Sequence, residues 1–169
     1  MPDTSYAIAI GSNRRHGRHG APERVITAAV AALTGSSIRM VALSPILRTA
    51  ALGPAGRAFA NAAALIATDL DPPALLARLK ATERAFGRRP GRRWGPRVLD
   101  LDIILWSGGP WSDDALTIPH PEFRRRDFVL RPLAAIAPDW RDPLGGLSIR
   151  QLRARLLRPT PVDRQAADA

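Results

Sequence analysis

The sequence predicts an α+β sandwich, a mainly antiparallel sheet with helices packed on it. Three observations carry that prediction. The apolar periodicity alternates between period 2 and period 3.6 in the order strand, helix, strand, strand, helix, strand. The helical stretches are punctuated by Pro at their starts and Gly at their ends. The chain has 169 residues, 46% of them hydrophobic, enough for one domain with a real core.

Tyr6-Ala7-Ile8-Ala9-Ile10 reads as the first strand, closed by Gly11-Ser12-Asn13. A Gly/Arg/His stretch follows from Arg14 to Gly20, in which His16 and His19 read as parts of a solvated, mobile loop rather than as metal ligands. Pro22 opens a helical pattern through Val25, Ile26, Ala29, Val30 and Leu33, and Gly35 stops it. Ile38 to Leu43 is the second strand, and Ser44 to Phe59 a long irregular connection. Ala60 to Ala67 is the third strand. Asp71-Pro72 combines an N-cap acid with Pro at the first helical position, and the helix runs to Phe86 with Gly87 as its stop. A basic loop leads into the strand at Asp100. Phe128 to Ile136 is a short helix, and Ser148 caps a last one over Ile149 to Leu157. The βαββαβ order is that of a ferredoxin-like fold, with helices over one face and long loops gathered above a concave site. Residues 1–158 form a single domain and 159–169 a polar, frayed tail.

Composition narrows the function classes. The net charge is +10, and Lys80 is the only lysine, so arginine carries nearly all the positive charge. The arginines cluster over 84–97, 124–126 and 150–164. Such clustering suits an anionic partner. With no Cys there is neither a disulfide framework nor a thiolate nucleophile. The first residues lack the basic and apolar regions of a signal peptide, and no apolar run is long enough for a bilayer, so the expected location is the cytoplasm. There is no Walker A sequence, no GxGxxG, no GxSxG and no HExxH. Phosphate handling in this chain must use arginines and a metal.

The segment Asp100-Leu101-Asp102-Ile103-Ile104-Leu105 is the most informative. It sets two acids in an apolar, β-branched run. Side chains at i and i+2 of a strand share a face, with Cα atoms roughly 6.5–7 Å apart. Two carboxylates so placed repel and desolvate each other. A hard divalent cation, Mg²⁺ above all, resolves that conflict, and the arginines just upstream suit the phosphates that accompany it. Phe59 and Asn61 lie at strand spacing on one face, which suits stacking and reading a flat heterocycle; a core Phe and a turn Asn are the bland alternative. Trp94 either stacks on a ring or anchors its loop. His120, between Pro119 and Pro121, has a fixed direction, and with Arg126 it suits phosphate contact.

These residues together resemble the 6-hydroxymethyl-7,8-dihydropterin pyrophosphokinases of folate synthesis. The resemblance runs from Ala7 to about Trp140. It is carried by Ile10-Gly11-Ser12-Asn13, Arg48-Thr49 with Leu52-Gly53-Pro54, Phe59-Ala60-Asn61, Arg93-Trp94-Gly95-Pro96-Arg97, Leu99-Asp100-Leu101-Asp102-Ile103, Ile118-Pro119-His120-Pro121, and Arg126-Asp127-Phe128-Val129-Leu130. The resemblance implies a ferredoxin-like αβα sandwich. It also implies transfer of pyrophosphate from ATP to the pterin hydroxymethyl group with release of AMP. Asp100 and Asp102 match the carboxylates that hold two Mg²⁺ ions. Lys80, Glu83, Arg93, Trp94, Arg97, Ile103, Thr117, His120 and Arg126 match the ATP site. Thr49, Ala50, Leu52, Phe59, Asn61, Trp94 and Phe128 match the pterin pocket, with Phe59 and Phe128 sandwiching the ring and Asn61 reading its amide-like edge. Arg97 and an arginine of the 88–92 loop act on the transferred group; Arg88 is taken as the mobile one, with Arg89 and Arg92 as alternatives.

The chain departs from the family pattern in places. Ala50 stands where proline often follows the threonine, Lys80 where glutamine is frequent, and Ala115 where some members carry arginine. The 88–92 loop is shorter than in some members. The expected partners are ATP and the pterin, with no nucleic acid and no membrane, for a chain acting as a monomer. The competing reading is a ferredoxin-like nucleic-acid-binding module. It leaves the paired aspartates unexplained, since they would repel a phosphate backbone.

Overall fold

In the computed structural model the described residues are 4–14, 16–49, 58–87 and 98–159. The elements are β1 (Thr4–Ser12), α1 (Pro22–Leu33), β2 (Ile38–Leu43), β3 (Leu47–Thr49), β4 (Phe59–Thr68), α2 (Pro72–Ala85), β5 (Asp100–Trp106), β6 (Trp111–Ser112), β7 (Thr117–Ile118), α3 (Asp127–Ile136) and α4 (Ile149–Leu156). A short 3₁₀ turn, Phe123–Arg125, precedes α3.

The main sheet has the order β2-β4-β1-β5 and is antiparallel throughout. This is the strand order of the expected α+β sandwich. Alternation along β1 sorts its side chains onto two faces. Tyr6, Ile8 and Ile10 point to one core with Ile66 of β4, Leu101 and Ile103 of β5, and the buried faces of α1 (Val25, Ile26, Ala29) and α2 (Leu75, Leu79). Ala7 points to the other core, with Ala63, Ile104, Leu105, Phe123, Val129, Leu130 and Leu133, closed by Ile149 and Leu152 of α4. Helices therefore cover both faces, where the element order by itself led us to expect one. The second layer is built by α3 and α4, whose amphipathic stripes need a surface to bury, and the β1 face of small residues leaves room for it.

Local chemistry sets the helix ends. Asp71 Oδ1 accepts a hydrogen bond from the Ala74 amide (3.0 Å) ahead of Pro72. Ser148 and Gln151 form a reciprocal capping box on α4, with bonds of 2.9 and 3.2 Å. Gly87, at φ +94°, takes the left-handed conformation that ends α2.

Three features differ from the sequence expectation. The connection after Ser44 contains β3, which pairs with β4 through Leu47–Asn61 and Thr49–Phe59. Ser44, between β2 and β3, is tied to β4 by exchanging hydrogen bonds with Ala63, its amide donating to Ala63 O and its Oγ accepting from Ala63 N. The segment around Thr117 is half of a small hairpin, with Trp111 opposite Ile118 and Ser112 opposite Thr117. Finally, the 16–20 turn is tied down. His16 and Gly20 exchange two 2.8 Å backbone bonds, the His16 Nδ1 accepts from the Arg18 and His19 amides, and both imidazoles pack on Phe86 at 5.8 and 5.2 Å between ring centres. Burying those ring faces outweighs solvating them.

Candidate active site

The site is built on the strand that borders the sheet. Among the described residues β5 pairs with β1 alone, and its register places Asp100 opposite Gly11 and Asp102 opposite Ala9. Directly opposed residues share a face. β4 extends the same rows on the far side of β1, with Asn61 opposite Gly11 and Ala63 opposite Ala9. Asp100, Asp102, Asn61 and Phe59 thus occupy one face of the sheet, the face on which α3 packs. A β-bulge follows immediately: Ile8 faces Ile103 while Ala7 faces Leu105, so Ile104 is the extra residue.

The electrostatic conflict expected from the sequence is present. Burial first, and then the charge of Asp100, push the Asp102 carboxyl up to about 6. Glu83 adds to this, while Lys80 and Arg126 oppose it. Glu83 is fully buried on α2. Its Oε1 accepts from the Leu101 amide (2.9 Å) and its Oε2 pairs with Lys80 Nζ (3.3 Å). Glu83 therefore grips the backbone between the two aspartates. Among the described residues no group of three or more His, Cys, Asp or Glu forms a protein-only metal cage. A pair of carboxylates suits Mg²⁺, which keeps waters and takes its remaining oxygens from phosphates.

A cavity of about 300 Å³ opens beside β5, between α2 and the β6–β7 hairpin. Leu76, Leu101, Ile103, Leu116 and Pro121 give it apolar walls. Lys80, Asp102, Thr117 and His120 bring polar groups to the same space. His120 is held by its amide, which donates to Ile104 O (3.0 Å), and by its Nδ1, which accepts from the Glu122 amide (3.1 Å). Burial and then the Arg126 charge hold its pKa below the ordinary value, with Glu122 and Asp100 opposing. The neutral ring with Nδ1 as acceptor carries its proton on Nε2. The Ile118–Pro119 peptide bond just before it is cis.

Arg126 is the N-cap residue of α3, and its guanidinium lies 5.7 Å from the Phe128 ring centre. Phe128 and Phe59 are 44% and 45% exposed. Each half-exposed ring forgoes roughly 1 kcal/mol of burial. Phe59 shares its sheet face with Asn61, and Phe128 lies in the first turn of α3, which packs on that face.

The structure thus brings together Lys80, Glu83, Asp100, Asp102, Ile103, Thr117, His120 and Arg126 around β5, and Thr49, Phe59 and Asn61 along β4. Ala50, Leu52, Arg88, Arg93, Trp94 and Arg97 lie outside the described residues, as do Arg89 and Arg92. Sequence reasoning missed Leu76, Asp113, Asp114 and Leu116 as cavity-lining residues. The signal was faint. Asp113 turns the hairpin by accepting from the Ala115 and Leu116 amides (2.7 and 2.8 Å), and two-residue strands leave no periodicity to read.

The model of the 7,8-dihydro-6-hydroxymethylpterin-pyrophosphokinase (HPPK) family matches residues 7–138. The chain belongs to this family. Membership assigns it to the pyrophosphokinases of folate synthesis. Three relatives carry the name 2-amino-4-hydroxy-6-hydroxymethyldihydropteridine pyrophosphokinase. That of Methylorubrum extorquens is 44% identical over 75% of this chain and 79% of its own length. That of Pseudomonas aeruginosa is 41% identical over 82% and 83%. That of Synechocystis is 47% identical over 62% of this chain, which spans about half (54%) of that relative. Among solved structures, an HPPK-DHPS in complex with substrates superposes with a TM-score of 0.70 at 12% identity. It covers 92% of this chain and 45% of the larger one. At that identity the likeness concerns the fold alone. No helix among the described residues is long and apolar enough to cross a membrane.

Proposed function

We propose that this chain transfers the β,γ-pyrophosphoryl group of ATP to the hydroxymethyl group of 6-hydroxymethyl-7,8-dihydropterin, releasing AMP. It acts as a monomer in the cytoplasm, with two Mg²⁺ ions held by Asp100 and Asp102. The observation that carries this reading is the paired carboxylates on one sheet face, set between a cavity at the β5 edge and two half-exposed phenylalanines.

The cavity at β5 takes the nucleotide. Leu76, Ile103 and Leu116 offer apolar walls for the base, and Lys80, Thr117 and the Nε2–H of His120 offer donors to sugar and phosphate oxygens. Arg126 supplies a fixed cation for the polyphosphate. Arg88, Arg93, Trp94 and Arg97 complete that contact as the sequence resemblance implies, with one arginine of 88–92 stabilising charge on the transferred group. Phe59 and Phe128 stack on the pterin, Asn61 pairs with its amide-like edge, and Thr49 beside Phe59, with Ala50 and Leu52, closes the pocket.

Asp100 and Asp102 would hold the ions. Bound there, Mg²⁺ supplies charge neutralisation of the triphosphate and acidifies the attacking hydroxyl. The hydroxyl oxygen forms a bond to the β-phosphorus as its proton passes to solvent, and the bond from that phosphorus to the α–β bridging oxygen breaks, leaving AMP with that oxygen and its electron pair. Residues on this sheet face fix the acceptor before the step, which is where most of the rate advantage of a phosphoryl-transfer enzyme arises.

The test is an incubation of the purified chain with ATP, Mg²⁺ and the hydroxymethyl pterin. AMP should accumulate only when all three are present. ADP as the product, or AMP formed at the same rate without pterin, would count against the reading.

A further inference from the structure

We propose that Arg153 of α4 is a positioning residue for nucleotide binding: by pairing with Asp127 it keeps that carboxylate from capturing the neighbouring Arg126, the cation that meets the ATP phosphates. This inference rests on the function proposed above and deepens it.

Arg124-Arg125-Arg126 sets three like charges in a row, and the fold gives them different surroundings. Arg124 is taken by the Asp142 carboxylate. Arg125 is exposed. Arg126 is half-buried, and its charge reaches His120 in the wall of the β5 cavity. Among the described residues no carboxylate forms an ion pair with Arg126.

Asp127 is the first residue of α3, where the amides of the helix start favour a negative charge. The same charge stands one residue from Arg126, with Cα atoms about 3.8 Å apart, within the reach of an arginine side chain. The acid that suits the helix is thus a competitor for the cation that suits the nucleotide. α4 resolves the conflict. It packs on α3 and on the 3₁₀ turn before it, with Ile149 and Leu152 in one core with Phe123, Val129 and Leu130. That docking brings Arg153, in the last turn of α4, to Asp127, where its Nε donates to Oδ1 over 2.9 Å. The two side chains are 33% and 39% exposed, so the pair adds little to folding. Arg153 does not line the β5 cavity. An effect of Arg153 on the nucleotide has to pass through Asp127.

The experiment measures binding of a non-hydrolysable ATP analogue with Mg²⁺ at low ionic strength, where charge effects are least screened. The full chain is compared with Arg153→Met, Arg153→Lys, Asp127→Asn and the double variant Asp127→Asn/Arg153→Met. Arg153→Met should weaken the analogue about five-fold, the upper end for a partly exposed pair. It should leave binding of 6-hydroxymethylpterin at saturating analogue within two-fold of the parent. Arg153→Lys and Asp127→Asn should each hold the analogue within two-fold of the parent. The double variant should regain the parent's affinity although it lacks the ion pair. A loss smaller than two-fold in Arg153→Met overturns the inference. A double variant as weak as Arg153→Met also overturns it, because the pair would then act by bracing α3 rather than by sparing Arg126. A parent chain that binds no analogue overturns the proposed function, and this inference with it.

Discussion

The Glu83 carboxylate is bonded to the amide of Leu101, 2.9 Å away, the residue that separates Asp100 from Asp102. A fully buried acid on α2 thereby positions the backbone of β5 at the point where the two candidate metal ligands project. Lys80 Nζ, 3.3 Å from the other oxygen, keeps that buried charge compensated. Glu83→Gln retains an acceptor for Leu101 and should cost about 1 kcal/mol or less. Glu83→Ala strips that acceptor and leaves a cavity, and should cost roughly 2–4 kcal/mol. Lys80→Met should fall between them, since it removes one ion pair from a buried carboxylate that keeps its Leu101 bond. Urea unfolding of the three variants checks the order; equal losses for Gln and Ala would show that the Leu101 bond contributes nothing.

Asp102 carries a stability cost. Its carboxyl sits at about 6 in the folded chain against an ordinary 3.8. The folded form therefore binds more protons than the unfolded one between those values. The associated stability is fully present below about 3.8 and is lost as pH rises through 6, a change of order 2–3 kcal/mol. In metal-free buffer Asp102→Asn should raise the melting temperature at pH 8 and leave it nearly unchanged at pH 4, while abolishing Mg²⁺-dependent turnover. A difference between variant and parent that does not change with pH would contradict this origin of the cost.

The charge anomaly in the sequence was legible because an acid in an apolar strand has few explanations, and strand periodicity alone placed Asp100 and Asp102 on one face. The helix signals at Asp71-Pro72 and Ser148…Gln151 were equally local, which is why α2 and α4 stand within a residue or two of the expected ends. What could not be read depends on contacts between distant segments. The three residues of β3 and the two-residue strands β6 and β7 are too short to show a period, and their pairing with β4 and with each other exists only in the folded chain. The same holds for the packing of His16 and His19 on Phe86, for Glu83 bonding to Leu101, and for the place of Gly11 between Asn61 and Asp100. The basic loop that carries Arg88 to Arg97 was legible only as composition and motif.

Phe59 and Phe128 are half exposed, so removing them should cost the fold little and the ligand much. Phe59→Ala and Phe128→Ala should each weaken pterin binding about ten-fold, the equivalent of roughly 1.4 kcal/mol for one stacked ring. Each should leave the melting temperature within a few degrees of the parent's. Fluorescence titration with 6-hydroxymethylpterin measures the first and a thermal melt the second. Unchanged pterin affinity in both variants would remove the stacking role.

Asp142 is buried against Arg124, whose Nε and Nη2 reach its two oxygens at 2.5 and 2.8 Å, and it also accepts from the Leu144 amide at 3.0 Å. Burial alone would raise its pKa, but these bonds together hold it below the ordinary carboxylate value. Its stabilising contribution is present above pH 3.8 and disappears as pH falls through the lowered folded value. Asp142→Asn should destabilise the chain by about 2–4 kcal/mol at neutral pH and flatten its acid unfolding, with KM for both substrates unchanged. An acid-unfolding midpoint that does not move would show that the Arg124 pair does not govern the acid limb.

The central claim is that two phosphoryl units travel together to the pterin. Parallel reactions with ATP labelled at the β-phosphate and at the γ-phosphate test it most directly, read by separating the pterin product from nucleotides. Both labels should appear in the pterin product in equal amounts, with unlabelled AMP released in the same quantity and no product from Asp102→Asn. Transfer of the γ label alone, with labelled ADP left behind, would contradict it.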